Sequence, residues 1–276
     1  MKDLSIDIVK NKTSEVDYLK IANESFIDVS EIIERPPIAI SLGKYHEGKY
    51  HIPFGSYGDF SCIVGASKSM KTFLKSAIAA AYIGGNSSNF FPNIKGHDIS
   101  GKFIIDIDTE QSEYHTQKVA RRVCDMVGFN PSFYIPFSLR DKDPTTRLKF
   151  VNWIFEESQW KDNLGLVLID GAADLLENVN DLEASNALVN HMLRWTKVSK
   201  SHLITVLHRN HGTNKPTGHL GSAITKKAET VAFVTKEDGQ VKVEPEYTRN
   251  FPFQEFRFEL DKNYLPIEVG ANDNLF

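Results

Sequence analysis

The chain has 276 residues (31.2 kDa), of which 41% are hydrophobic and 25% charged, a globular balance that excludes wholesale disorder. A formal charge of −4 and a pI of about 6.1 exclude a strongly cationic surface, so any nucleic-acid contact has to use a local patch. Cys62 and Cys124 make no disulfide framework and match no zinc spacing, and the longest apolar run, residues 77–83, is too short to cross a bilayer; the expectation is a cytoplasmic chain without a membrane segment.

Residues 13–34 mix apolar and acidic residues at helical spacing and are stopped by Pro36-Pro37. Residues 38–60 read as short strands around glycine-containing turns. Residues 1–55 are therefore expected to form an N-terminal extension, 56–269 one α/β domain and 270–276 a tail. From residue 60 onward, short apolar runs at 60–64, 103–108, 133–137, 166–170, 203–207 and 230–234 alternate with helical stretches at 72–83, 113–127, 145–160, 182–200 and 221–228. That alternation predicts a mostly parallel sheet with helices on both faces. Residues 241–269 alternate apolar and polar positions (VKVEPEY, EFRFEL), which predicts antiparallel hairpins at the sheet edge.

The sharpest motif is GASKSMKT: Gly65, Ala66, Ser67, Lys68, Ser69, Met70, Lys71 and Thr72. It follows the apolar run SCIV and precedes the helix former FLKSAIAAAYI, the strand–loop–helix context in which backbone N–H groups converge on a phosphate. Lys71 would neutralise the β- and γ-phosphates of ATP, and the Thr72 hydroxyl would ligate Mg²⁺. Met70 stands where GxxxxGK[ST] has its second glycine, and the competing reading is an ordinary turn with a chance Lys-Thr pair. ATP binding follows from this loop more directly than hydrolysis does.

Three further apolar runs end in polar residues. FIIDIDTEQS (103–112) would deliver Glu110 toward the γ-phosphate to polarise the attacking water, unless its acids serve solubility alone. LGLVLID (164–170) ends in Asp170, which would hold Mg²⁺ opposite Thr72 or else N-cap the next segment. LITVLHRN (203–210) carries His208, suited to touching the γ-phosphate, and leads into a Gly-, Pro- and Lys-rich loop. His208, His211 and His219 lack the cysteines or helical spacing of a zinc site.

The order of these motifs resembles the RecA/DnaB-type P-loop ATPases, and within them the small RepA-type replicative helicases of plasmids, phages and mobile elements, over roughly residues 55–268. The resemblance implies Walker A roles for Lys71 and Thr72, a catalytic glutamate at Glu110, Walker B at Asp170 and a sensor at His208. It implies an arginine finger at Arg249 in YTRN (247–250), where Tyr247 replaces the lysine many relatives carry; the competing reading is a solvated hairpin arginine. It also implies a homo-oligomer such as a hexameric ring, single-stranded DNA through its centre, and replication or mobilisation proteins as partners. Of the two loops that touch DNA in such rings, the one at 209–219 offers Arg209 and Lys215 as phosphate contacts. The other, after Gly171, is acidic (Asp174, Glu177, Asp181) and does not favour DNA. The expected activity is a motor ATPase that unwinds or remodels DNA. The alternatives are a loader or mediator acting on a partner protein, and, because of Met70, a nucleotide sensor with low turnover.

Overall fold

A computed structural model of the chain describes residues 16–45, 48–210 and 215–270. It divides into two compact units, residues 1–35 and 36–276. In the first, α1 (Tyr18–Ser25) starts at Asp17, whose carboxylate accepts the Lys20 N–H at 3.0 Å, and none of its residues is buried. The helical spacing read over residues 13–34 is thus realised for eight residues, and none of the unit's described residues is buried against a partner that would propagate the helix.

The second unit runs β1 (Ile38–Tyr45), β2 (Tyr50–Ser56), β3 (Phe60–Gly65), α2 (Lys71–Ile83), β4 (Ile94–Gly96), β5 (Phe103–Asp108), α3 (Glu113–Val127), β6 (Tyr134–Ser138), α4 (Pro144–Glu156), β7 (Leu164–Asp170), α5 (Leu182–Ser199), β8 (His202–His208), α6 (Gly218–Lys227), β9 (Thr230–Glu237), β10 (Gln240–Thr248), β11 (Phe256–Leu260) and β12 (Pro266–Glu268). One nine-stranded sheet has the order β12-β11-β10-β9-β3-β8-β7-β5-β6. Its strands β9, β3, β8, β7, β5 and β6 are parallel, and β10 to β12 extend it antiparallel. All seven residues of β7 are buried, which is why its sequence reads as an unbroken apolar run instead of an alternating one. One face of the sheet packs on α2 and α3, the other on α4, α5 and α6.

A second, three-stranded sheet of order β2-β1-β4 closes over the α2 side. Its β1 and β2 therefore belong to the compact unit that begins at Pro36, not to an extension ending at residue 55. The short β4 pairs with β1 and was not expected from sequence; a Cβ at Gly96 would lie 2.4 Å from the Tyr82 backbone, so this contact with α2 requires glycine. Of the expected tail only Gly270 lies within the described residues.

Register lines up the carboxyl ends of the central strands. Gly65 pairs with His208, Asp108 with Asp170, and Asp170 with Val206. In open parallel sheets this edge is where the loops can build a ligand site.

Candidate functional site

Gly65 closes β3 and opens the phosphate loop. A Cβ there would meet Ser69 Oγ at 2.5 Å and Val234 O at 2.6 Å, so the tight wrap needs glycine. Met70, at the N-cap of α2, has φ +70° and ψ +26°, a left-handed conformation that costs an L-residue about 1 kcal/mol or more. Its half-buried side chain packs against the core, and Lys68 is left-handed as well (φ +62°). The Ser69 hydroxyl is buried and has no hydrogen-bond partner among the described residues. The first amides of α2 precede any intrahelical acceptor, as at every helix start.

Lys71 is only 6% exposed. Its ammonium donates to Gly65 O (3.0 Å) and Ala66 O (2.8 Å) and meets His208 Nδ1 at 3.3 Å. Burial pushes the ammonium below its ordinary value, Asp170 and Glu110 oppose that, and Arg209 adds to it. An ammonium can only donate, so Nδ1 of His208 is the acceptor and a neutral ring carries its proton on Nε2. That Nε2 faces Glu110 Oε1 at 3.6 Å. The hydrogen bond to His208 holds the Glu110 carboxyl below its usual range against partial burial, with the Lys71 ammonium helping. His208 therefore bridges the phosphate loop to the end of β5.

Asp170 is buried at the end of β7 and accepts the Thr72 hydroxyl at 3.0 Å. It does not cap the following turn: the 3₁₀ segment Ala172–Leu175 begins after Gly171. Thr109 clamps β5 to β7, donating its N–H to Asp170 O (2.8 Å) and its hydroxyl to Asp174 (2.8 Å), while accepting Gly171 N–H (2.9 Å). Asp108 accepts the Glu110 and Gln111 N–H groups at 3.0 and 2.8 Å, which shapes the turn that presents Glu110.

Behind these groups lies a buried ionic network that sequence reasoning missed. Lys75 Nζ is 2.8 Å from Asp106 Oδ1 and 3.5 Å from Asp170 Oδ2, and the Tyr134 hydroxyl donates to Asp106 Oδ2 at 2.7 Å. Burial works against the Lys75 ammonium, yet Asp106 and Asp170 outweigh it and hold the group above its ordinary value. The available signal was a lysine within the apolar face of FLKSAIAAAYI and an aspartate inside FIIDID.

Other expected residues lie elsewhere. Arg249 is at the opposite end of the sheet, bonded to Asp59, just before β3, and to Lys227 O (2.7 Å). It is about 20 Å, one strand length, from the phosphate loop, so within one chain it is not a catalytic residue of this site; nor is it simply solvated, since Asp59 pairs with it. Arg209 donates its N–H to Gly65 O at 3.2 Å and bridges to Pro216; Lys215 is exposed, and residues 211–214, with His211, lie outside the described residues. In the acidic loop, Asp174 is engaged by Thr109, and Asp181 caps α5 by accepting Ala184 N–H at 2.9 Å.

The residues present fit a triphosphate with Mg²⁺. Two oxygen donors, Thr72 and Asp170, stand 3.0 Å apart as a hard cation requires, and the Gly65 cradle, the unpartnered Ser69 hydroxyl and the Lys71 ammonium suit phosphate oxygens. A cleft of about 470 Å³ lies away from them, between β1, β2 and the β11–β12 edge.

No protein-family model matches the chain, and no curated protein matches it. Among solved structures, the RadB recombinase is similar at 18% sequence identity with a TM-score of 0.54, over 78% of this chain and 93% of that one. At that identity the likeness concerns the fold, and together with the strand order and flanking helices it establishes a RecA-like α/β core.

Proposed function

We propose that the chain is a RecA-fold ATPase that binds ATP with Mg²⁺ at residues 65–72 and couples hydrolysis to unwinding or remodelling of DNA as a homo-oligomeric ring. The observation that carries this reading is the contact chain Lys71–His208–Glu110, which joins three strand ends around the loop. Lys71 would exchange its own loop's carbonyls for phosphate oxygens. Mg²⁺, held by Thr72 and Asp170, would offset charge on those oxygens. Glu110 stays ionised at neutral pH and accepts a hydrogen bond from water, orienting it for attack, while His208 fixes the carboxylate and senses the phosphate side through Lys71. Arg249 would serve a neighbouring subunit, which requires its half-exposed guanidinium to leave Asp59.

The test is ATP turnover against protein concentration, with and without single-stranded DNA, alongside analytical sizing. The proposal expects turnover that rises with assembly and with DNA, is lost in Lys71→Ala, and is partly restored when Arg249→Ala and Glu110→Ala subunits are mixed. Absence of nucleotide uptake by the wild type would overturn it. A second reading, a sensor with low turnover, is favoured by the left-handed Met70, which resists closer approach of the loop backbone to a nucleotide. Tight ATP binding without hydrolysis in the presence of DNA would select it, and DNA-independent turnover would select a loader acting on a protein.

A further inference from the structure

The buried ion pairs behind the phosphate loop share an atom with the metal site. Thr72 and Lys75 are three residues apart in α2 and are therefore neighbours on one face of the helix. Both engage Asp170 through the same oxygen: the Thr72 hydroxyl donates to Oδ2 at 3.0 Å, and Lys75 Nζ stands 3.5 Å from it. Lys75 also donates to Asp106 Oδ1 at 2.8 Å, and the other Asp106 oxygen accepts the Tyr134 hydroxyl at 2.7 Å. A line of buried contacts thus runs from Tyr134 on β6 through Asp106 on β5 and Lys75 on α2 to Asp170 on β7. Asp106 and Asp108 are two residues apart and share one face of β5, and the register sets Asp108 beside Asp170 on the next strand, at a strand spacing of about 4.8 Å. Three carboxylates therefore line this face of the sheet, and the ammonium paired with two of them is Lys75.

We infer that Lys75 is a positioning residue for the metal ion: seated on Asp106, it fixes the Asp170 carboxylate that, with Thr72, would hold Mg²⁺, a role that rests on the proposed function. Joining β5 to β7 does not call for this contact, since the strand ladder and the Thr109 clamp already do so. Nor does stability account for it, because well-packed apolar residues in place of a buried ion pair are often as stable or more so. What the ammonium adds is direction. Carboxylates on adjacent strands push apart, and an ammonium seated between two of them removes that push and limits how the Asp170 carboxylate can turn. Its contact falls on Oδ2, as does that of Thr72, so neither contact takes up Oδ1. Groups that orient a metal ligand in this way are worth about 10–100-fold in metal affinity. Tyr134 braces the arrangement one step further back, through Asp106.

The experiment is a Mg²⁺ titration of methylanthraniloyl-ATP binding to the full chain, without DNA and well below the melting temperature. It reads the Mg²⁺ midpoint and the metal-free nucleotide affinity, not turnover. Lys75→Met/Asp106→Asn removes one positive and one negative charge, so the net charge of the network is unchanged and a shift in midpoint reports placement. The midpoint is expected to rise about 10-fold or more in this variant, with the metal-free affinity unchanged. Tyr134→Phe, which frees Asp106 and keeps the ring in place, is expected to raise it by less. An unmoved or lower midpoint in the double variant would overturn the role of Lys75; should that variant not fold, an unmoved midpoint in Tyr134→Phe would do so. Asp170→Asn tells this failure from failure of the metal site itself, since its midpoint must rise as well. If it does not, or if the wild type takes up no nucleotide, the proposed site falls and this role with it. If it does while the double variant keeps the wild-type midpoint, the role of Lys75 alone falls.

Discussion

Replacing Lys75 by methionine should be among the most damaging single changes in the core. The ammonium is 1% exposed, 2.8 Å from Asp106 and 3.5 Å from Asp170, and those carboxylates are themselves 4% exposed. Methionine fills nearly the same volume, so no large cavity forms, and the loss is electrostatic. Two buried carboxylates remain, with hydrogen bonds from the hydroxyls of Tyr134 and Thr72 but without their buried ammonium. Breaking a buried pair from one side costs about 3–5 kcal/mol, roughly a fifth or more of the stability of an ordinary domain. Removing the stranded charge as well should reverse much of this: Lys75→Met/Asp106→Asn is expected to recover at least half the loss, because the Asn side chain can still accept from Tyr134. Denaturant unfolding of the wild type, the single variants and the double variant, with nucleotide binding measured on each, makes a complete cycle. A loss below about 1 kcal/mol for Lys75→Met, or additive effects in the double variant, would refute the claim that this network holds the strand ends beneath the phosphate loop.

Glu110→Gln should leave ATP binding intact and lower turnover by about 10²–10⁴, and His208→Ala should move the acid limb of the turnover profile to higher pH, because the hydrogen bond that holds Glu110 below its ordinary 4.5 is gone; an unmoved limb would count against the His208–Glu110 contact. His202 is fully buried, accepted through Nδ1–H by Ser56 O at 2.9 Å, and burial pushes it down to about 4 from 6.5. The unfolded chain therefore takes up the proton first, so this contribution is fully present above pH 6.5 and is lost as the pH falls from 6.5 to about 4, by about 3 kcal/mol in all. Unfolding curves across that range should show it, and His202→Asn, which keeps a donor for Ser56 O, should flatten the slope. Met70→Gly should change stability by no more than about 1 kcal/mol, since relief of the left-handed strain offsets lost packing and added chain entropy, while raising kcat; an unchanged kcat would show that Met70 does not limit the loop.

The strands expected at 60–64, 103–108, 166–170 and 203–207 lie within two residues of β3, β5, β7 and β8, and α3 spans the expected 113–127. These were readable because a parallel strand buried on both faces, or a helix with one face on a sheet, writes its surroundings into its own residues. The three-residue β4, the place of β1 and β2 in the compact unit, and the shortness of α1 were not, since each depends on whether distant chain covers a face. The same division holds in the site. GASKSMKT and the acids at strand ends pointed toward phosphate and metal chemistry by residue type and spacing, beside the plainer readings of a turn, solubilising acids and an N-cap. That Thr72 meets Asp170 across 98 residues, that His208 links Lys71 to Glu110, that Lys75 neutralises the carboxylates below, and that Arg249 pairs with Asp59 across 190 residues were decided by strand order and register. Local sequence records how buried a residue is; which partner it meets there is a property of the assembled sheet.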